Sequence, residues 1–359
     1  MLSKIQTIHS ICILRLSAIG DVCHAVACVQ AIQQRWPEVK ITWVIGKVEW
    51  QLLKGLPGVD FVIFDKKAGL RGYLDLKAQL KDKQFDVLLH MQVALRASLA
   101  TLCIRAKEKW GFDRSRAKEA QWIFTNRKIS GQVRPHVADG FLGFAKAIGV
   151  ADEYQLKWQM PIEQQDITWQ KTQLGHIGKY IVISPAASKV ERNWLPERYA
   201  QFADYANKKG LAVLICGGPT EIEKQLAAEI ESHCQCDPIN LVGKTSLKQL
   251  LVVLKQAQMV LAPDTGPAHM AVTVGTPVIG LYVHSNPDRT GPYAYQNYVV
   301  SCYEQLLKEQ SGATSQEHRW GKRVKGEHLM ERIELDAVIE SFERMVTDFD
   351  LLADNSRIE

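Results

Sequence analysis

Four short stretches carry the residue types from which a reactive site can be built. Asp21 lies in "LRLSAIGDVCHAV" (residues 14–26), after the apolar run "HSICILRLS" and at the head of the helical pattern "DVCHAVACVQAIQQRW". A carboxylate at such a seam has two readings: it caps a helix and suits its dipole, or it takes a proton from a substrate. The stretch "SPAASKVERNWLPERY" (184–199) sets Ser188, Lys189 and Arg192 between a strand pattern and a helix pattern. Hydroxyl, backbone N–H and guanidinium together hold a phosphate; a plain charged surface loop is the other reading. In "LAPDTGPAHMAVTVGTPVIGLY" (261–282), Asp264, Thr265 and Gly266 follow a strand and open a helix, with His269 five residues after Asp264. The N–H groups of Thr265 and Gly266 can face an anion there, and a proline suits the first helical turn. Last, "ICGGPTEIE" (215–223) ends a strand in two glycines and presents Glu221, either to a ribose or as a helix-dipole partner.

The elements that must hold these residues alternate along the chain. "KITWVI", "VDFVIF" and "FDVLLHM" read as strands, with helices near 47–54, 70–83 and 93–105. This is the βαβ rhythm of a parallel sheet covered on both faces. "RPHVADGFLGFAKAIGV" is a helix ending near Gly149. A second series follows a polar join at 151–178: strands in "KYIVISP", "LAVLICGG", "NLVG", "QMVLAP" and "TPVIGLY", separated by helical patterns. "TEIEKQLAAEIESH" opens as a capping box, Thr220 with Glu223. "ELDAVIESFERMVTDFDLLA" is a final amphipathic helix. Two such series predict two doubly wound domains facing across a cleft, 1–165 and 175–330, with 335–354 returning to the first. Ligands of these sheets bind beyond the carboxyl ends of the strands.

Composition bounds the function. At 359 residues the chain exceeds one ordinary core, and its 46% apolar and 23% charged content is that of a globular protein. The first strand's turn holds one glycine, Gly20, so the dinucleotide fingerprint and with it a dehydrogenase are disfavoured. Asp-Thr-Gly is also the aspartic protease tripeptide, but it occurs once, and that chemistry needs two facing carboxylates. Gln6, His9 and Ser10 interrupt the run a signal peptide needs, so a cytoplasmic location is expected. The eight cysteines include no C-x-x-C pair; Cys234 and Cys236 alone are a weak metal signal, and structural zinc is not expected. The net charge of +5 is gathered in runs such as "IRAKEKWGFDRSRAK" and "DKKAGLRG". These are solvated faces or surfaces for an anionic substrate or membrane; no nucleic-acid partner is read from them.

Taken together, "RLSAIGDVCHA", "ISPAASKVERNWLPERYAQF", "CGGPTE" and "PDTGPAHMAVTVGTPVIGLY" resemble the bacterial heptosyltransferases of the ninth glycosyltransferase family, over nearly the whole chain. The resemblance implies a GT-B fold, with acceptor on the N-terminal Rossmann-like domain and nucleotide sugar on the C-terminal one. It implies inverting transfer of L-glycero-D-manno-heptose from ADP-heptose to Kdo-lipid A in the lipopolysaccharide inner core, the first heptose being preferred. Asp21 matches the catalytic base. Ser188, Arg192, Glu221, Thr245, Asp264, Thr265, Gly266 and His269 match donor-binding positions; family members often carry lysine where Arg192 stands. Ser17, Lys67, Arg71, Arg96 and His136 are the acceptor-side candidates, with Lys66 beside them. No metal or cofactor is required, Mg²⁺ being at most a stimulator. The basic stretch with Trp110 and Trp122 is expected to rest on the inner leaflet, making the protein peripheral there. A transferase of another nucleotide sugar and a non-catalytic nucleotide-binding regulator are the competing readings.

Overall fold

The computed structural model describes residues 7–151 and 158–353, and the chain divides into two compact units, Met1–Pro161 and Ile162–Glu359. Residues 152–157, where the polar join was expected to start, lie outside the described part, as does residue 354 of the tail helix.

The first unit begins β1 (Ser10–Leu14), α1 (Ile19–Arg35), β2 (Lys40–Gly46), α2 (Lys47–Leu53), β3 (Val59–Phe64) and α3 (Leu70–Gln79). It continues β4 (Phe85–His90), α4 (Leu95–Ala100), β5 (Ala106–Gly111), β6 (Arg127–Lys128) and α5 (Val137–Ile148). The strands are parallel, in the order β3-β2-β1-β4-β5-β6. Ile11 to Leu14 are all buried, as befits a central strand covered on both faces. α1 buries Val22, Val26, Val29 and Ile32 and packs on α5, which stops at Gly149 in the left-handed conformation (φ 111°).

The second unit opens with α6 (Gln164–Leu174), β7 (Tyr180–Ile183), α7 (Pro196–Lys208), β8 (Ala212–Ile215) and α8 (Glu221–His233). Next come β9 (Ile239–Asn240), α9 (Leu247–Gln256), β10 (Val260–Pro263), α10 (Gly266–Thr273) and β11 (Val278–Tyr282). It closes with α11 (Pro287–Thr290), β12 (Val300–Ser301), α12 (Tyr303–Ser311) and α13 (Leu335–Phe349). Its order, β12-β11-β10-β7-β8-β9, is again parallel. In each unit the fourth strand lies beside the first, so strand order reverses between β1 and β4 and between β7 and β10. A reversal of this kind splays neighbouring loops apart and leaves a crevice at the carboxyl ends.

Two elements differ from the sequence expectations, and the tail helix gains its packing partners. "AKEKWG" lies in a run read as a basic surface, yet it forms β5. Buried Glu108 there pairs with Arg127 at 3.1 Å and accepts the Trp110 indole N–H at 3.0 Å. α6 sits inside the stretch read as a polar join. The tail helix α13 packs on α7 and β11 of its own unit: Phe342 meets Phe202 edge-on at 5.5 Å, and Glu343 accepts the Tyr205 hydroxyl at 2.6 Å. An amphipathic stripe says that a helix must be covered, not by which sheet.

Candidate functional site

At the first reversal, the chain leaves β1 through Arg15. Its Nη1 donates to Met91 O at 2.6 Å, its guanidinium lies over the Phe141 ring at 5.1 Å, and Nη2 forms an ion pair with Asp21 Oδ2. Asp21 stands in the first turn of α1, where the same Oδ2 also accepts the Ala18 N–H at 3.1 Å. The side chain is 33% exposed, and Oδ1 has no partner among the described residues. The structure shows the helix-entry reading directly. Oδ2 fixes the helix entry and the orientation of the group, and Oδ1 stays uncommitted.

Gln92, just past β4, ties the reversal together: its Oε1 accepts the Leu16 N–H at 2.7 Å and its Nε2 donates to Ser17 Oγ at 3.3 Å. Sequence reasoning missed this residue; a polar group directly after a wholly buried strand was the available signal. Ser17 is thus already engaged by the scaffold. The end of β2 must come equally close, because a Cβ on Gly46 would lie 2.4 Å from Leu16 O. Beneath the crevice, His90 Nε2 lies 3.0 Å from Ser98 Oγ. Burial, with Arg15 adding to it, lowers the His90 pKa to about 3 and keeps the ring neutral.

At the second reversal the acid is held differently. Asp264 follows β10, with His269 Nε2 at 3.6 Å from Oδ1 and Arg192 Nη1 at 3.8 Å from Oδ2. Burial opposes its ionisation, yet the His269 ring, the Ser285 hydroxyl and Arg192 outweigh that and hold the carboxyl below its ordinary value. Both oxygens face cationic or donor groups of the protein, so Asp264 is an anchor that orients Arg192 and His269. Thr265 occupies the N-cap of α10 without capping it, and its buried Oγ1 has no partner among the described residues. An orphaned hydroxyl beside the unpaired N–H groups of a helix start is the setting an anionic oxygen satisfies.

Arg192 is buried at the end of the three-ten turn Val190–Arg192. The loop that carries it is clamped from several sides. Asn193 Oδ1 accepts the Ala187 N–H at 2.7 Å, the Trp194 indole N–H donates to Ile333 O at 2.9 Å, and the Tyr199 hydroxyl donates to Pro185 O at 3.3 Å. His284, also missed from sequence, lies with Nε2 2.8 Å from Glu191 O and Nδ1 3.1 Å from Val324 O. Arg192, Asp264, Tyr282, His284 and Ser285 line one small pocket.

The remaining candidates are more peripheral to this cradle. Ser188 is exposed on the same loop. Glu221 is exposed and paired with Lys224 at 2.7 Å, whereas Glu223 turns back to accept the Gly218 N–H and the Thr220 hydroxyl. A Cβ on Gly218 would stand 2.8 Å from Glu223 Oε1, so a side chain there would push the Glu223 carboxylate aside. Thr245 is half-buried immediately before Ser246, the N-cap of α9.

On the first unit, Lys67, Arg71 and Arg96 are exposed, while Lys66 pairs with buried Glu49 at 3.2 Å. His136 is buried: its Nδ1 accepts the Ala138 N–H at 3.1 Å as the cap of α5, and its ring meets His24 edge-on at 5.3 Å. Trp110 is fully buried, which corrects its expected place on a leaflet; Trp122 is exposed. Cys234 and Cys236 converge with Asp204, the three ligating atoms within 4.8 Å of one another. Burial first, with Asp204 adding to it, pushes these thiols up to about 11 and about 12. The carboxylate meanwhile accepts the N–H groups of Gln235 and Cys236 at 2.8 and 2.7 Å.

Comparison with known proteins gives these sites a context. A family model described as "Glycosyltransferase family 9 (heptosyltransferase)" matches residues 73–320. The chain is 45% identical over 336 residues to "Lipopolysaccharide core heptosyltransferase OpsX" of Haemophilus influenzae, covering 94% of this chain and 96% of that one. It is 23% identical over 310 residues to "Lipopolysaccharide heptosyltransferase 1" of Escherichia coli K12, covering 82% and 94%. Among solved structures, a glycosyl transferase family 9 protein from Veillonella parvula matches with a TM-score of 0.77 at 20% identity, covering 95% and 97% of the two chains. "E. coli heptosyltransferase WaaC with ADP" matches with a TM-score of 0.71 at 19% identity, covering 94% and 99%. The fold is the GT-B fold of these structures.

Proposed function

This chain belongs to glycosyltransferase family 9, the heptosyltransferases, and we propose on that footing that it moves L-glycero-D-manno-heptose from ADP-heptose to the Kdo region of the lipopolysaccharide inner core. Addition of the first heptose, directly to Kdo-lipid A, is the preferred form of this reading. What carries it is the near full-length likeness to the Haemophilus core heptosyltransferase, because substrate class resides in whole sites rather than in a fold.

The mechanism we favour inverts the anomeric centre. An acceptor hydroxyl attacks the anomeric carbon as the bond from that carbon to the diphosphate oxygen breaks. The hydroxyl proton passes to Asp21 Oδ1, and ADP departs with the bonding electron pair. The open Oδ1 and the fixed Oδ2 of Asp21 support this role. Arg192, the Thr265 hydroxyl and the first N–H groups of α10 take the charge growing on the leaving diphosphate. Ser188, Glu221 and Thr245 complete the donor contacts, and Lys67, Arg71 and Arg96 receive the anionic acceptor, which holds the enzyme against the cytoplasmic face of the inner membrane. His136, buried as a helix cap, acts on that side by positioning α5. With a guanidinium and a helix start facing the diphosphate, transfer does not require a metal; activity should persist in EDTA.

The test is incubation with ADP-heptose and defined truncated acceptors, with product mass recorded. A gain of one heptose on Kdo-lipid A is expected. Transfer only from a different nucleotide sugar, or only to an acceptor already bearing heptose, contradicts the reading.

A further inference from the structure

Between them, two helices of the first unit turn leucines outward as well as inward. α4 buries the small residues Ala97, Ser98 and Ala100 while Leu95 and Leu99 face solvent. The same stripe continues one turn on to Leu102, which is 68% exposed. α3 buries Gly72 and Leu76 and turns out Leu70, 83% exposed, and Leu74. A helix facing only water places its large apolar residues inward, so this pattern calls for a covering phase.

The stripes form one face. The Tyr73 hydroxyl of α3 donates to Arg96 O of α4 at 3.2 Å, and Cys103 Sγ donates to Tyr73 O at 3.4 Å. The start of α4 is tied to the neighbouring loop by the Leu95 N–H on Glu119 Oε2, and that loop presents Trp122 and Ile123, both exposed. Among the described residues, nine of the twelve large exposed apolar side chains lie on the first unit and three on the second. The charge around the face is basic on balance: Lys67, Arg71, Lys77 and Arg96 are exposed, against Asp65, Asp75 and Glu119.

We infer that this α3–α4 face, with Trp122 and Ile123, seats on an anionic lipid bilayer. Leucines and a tryptophan at the headgroup level with cations beside them is the composition of an interfacial surface, whereas a protein partner of ordinary interface composition would deplete lysine there. The inference rests on the proposed lipid-borne acceptor for its purpose. It differs from docking through basic residues alone in that apolar insertion must survive added salt.

The experiment uses the full chain with phosphatidylglycerol-rich vesicles lacking any lipopolysaccharide, compared with pure phosphatidylcholine vesicles. Co-sedimentation with the anionic vesicles, weakened but not abolished by salt, is expected. Leu74→Glu with Leu99→Glu should lower the partition coefficient by about tenfold or more, from the lost apolar burial of two leucines. Leu74→Ser with Leu99→Ser should lower it less. Both variants should keep the wild-type ADP affinity, and Leu70→Glu with Leu74→Glu, at 83% and 67% exposed, should lower partitioning while also keeping the melting temperature. Wild-type partitioning by these variants overturns the inference. So does binding only when Kdo-lipid A is present, or a wild-type dimer that the substitutions dissolve without vesicle binding. Transfer to a water-soluble, acyl-free Kdo acceptor separates this from the functional reading: it fails in wild type if the activity is wrong, and survives in the leucine variants if only docking is lost.

Discussion

Asp21 and Asp264 each follow a strand that borders a reversal, Asp21 in the first turn of α1 after β1 and Asp264 directly after β10, yet their partners are distributed differently. Asp264 is enclosed by His269, Arg192 and Ser285, so its charge is spent within the protein. Asp21 concentrates both of its contacts on Oδ2 and keeps Oδ1 open. A strand-order reversal supplies a crevice; the distribution of partners over each carboxylate's two oxygens is what the proposed division of labour rests on.

The largest break in this comparison should come from Asp21→Ala. Loss of a general base costs about 10² to 10⁴ in rate, so transfer should nearly vanish while ADP affinity, measured by calorimetry, stays unchanged. Arg192→Ala comes next. A charge-assisted hydrogen bond is worth about 1.5–3 kcal/mol, so ADP should bind roughly ten- to a hundredfold more weakly, with the loss read in donor binding rather than in the proton step. Thr265→Val sharpens the anchor side. It removes an orphaned hydroxyl at no cost to the free protein, so ADP affinity should fall about fivefold to tenfold, the worth of one neutral hydrogen bond, without loss of thermal stability.

A comparison of the two units themselves is read in stability against pH. His90 has a folded pKa of about 3 against an ordinary 6.5, so below pH 6.5 the unfolded chain binds a proton that the folded one does not. Stability should therefore decline by about 1.4 kcal/mol per pH unit from this group as pH falls from 6.5 towards 3. Asp264, held low, keeps its contribution above the ordinary carboxylate value and loses it only as pH falls through its depressed one. Acidification from 6.5 to 4 should thus weaken the first unit before the second, and His90→Gln should flatten that slope in a urea series.

Much of the fold was legible because parallel strands buried on both faces read as apolar runs, as in "SICIL" and "VIGLY". β5 was hidden because Lys107, Glu108 and Lys109 look like surface, and only the buried pairing of Glu108 with Arg127 makes them a strand. α6 was hidden because its polar face dominates its composition. At the site, Asp264, Thr265 and His269 announce themselves as a strand-to-helix turn in one stretch. Gln92 and His284 do not, because their role depends on partners 76 and 93 residues away. His136 shows a related limit: its Nδ1 caps α5, and a ring that caps its own helix is indistinguishable in sequence from one facing a ligand.

The division of labour between the two acids is tested most directly by single-turnover transfer with Asp21→Asn and Asp264→Asn across a range of ADP-heptose concentrations. The account predicts that Asp264→Asn regains most of its rate at saturating donor, while Asp21→Asn stays slow at every concentration. Recovery of Asp21→Asn at high donor, or a defect in Asp264→Asn that saturation does not relieve, would contradict it.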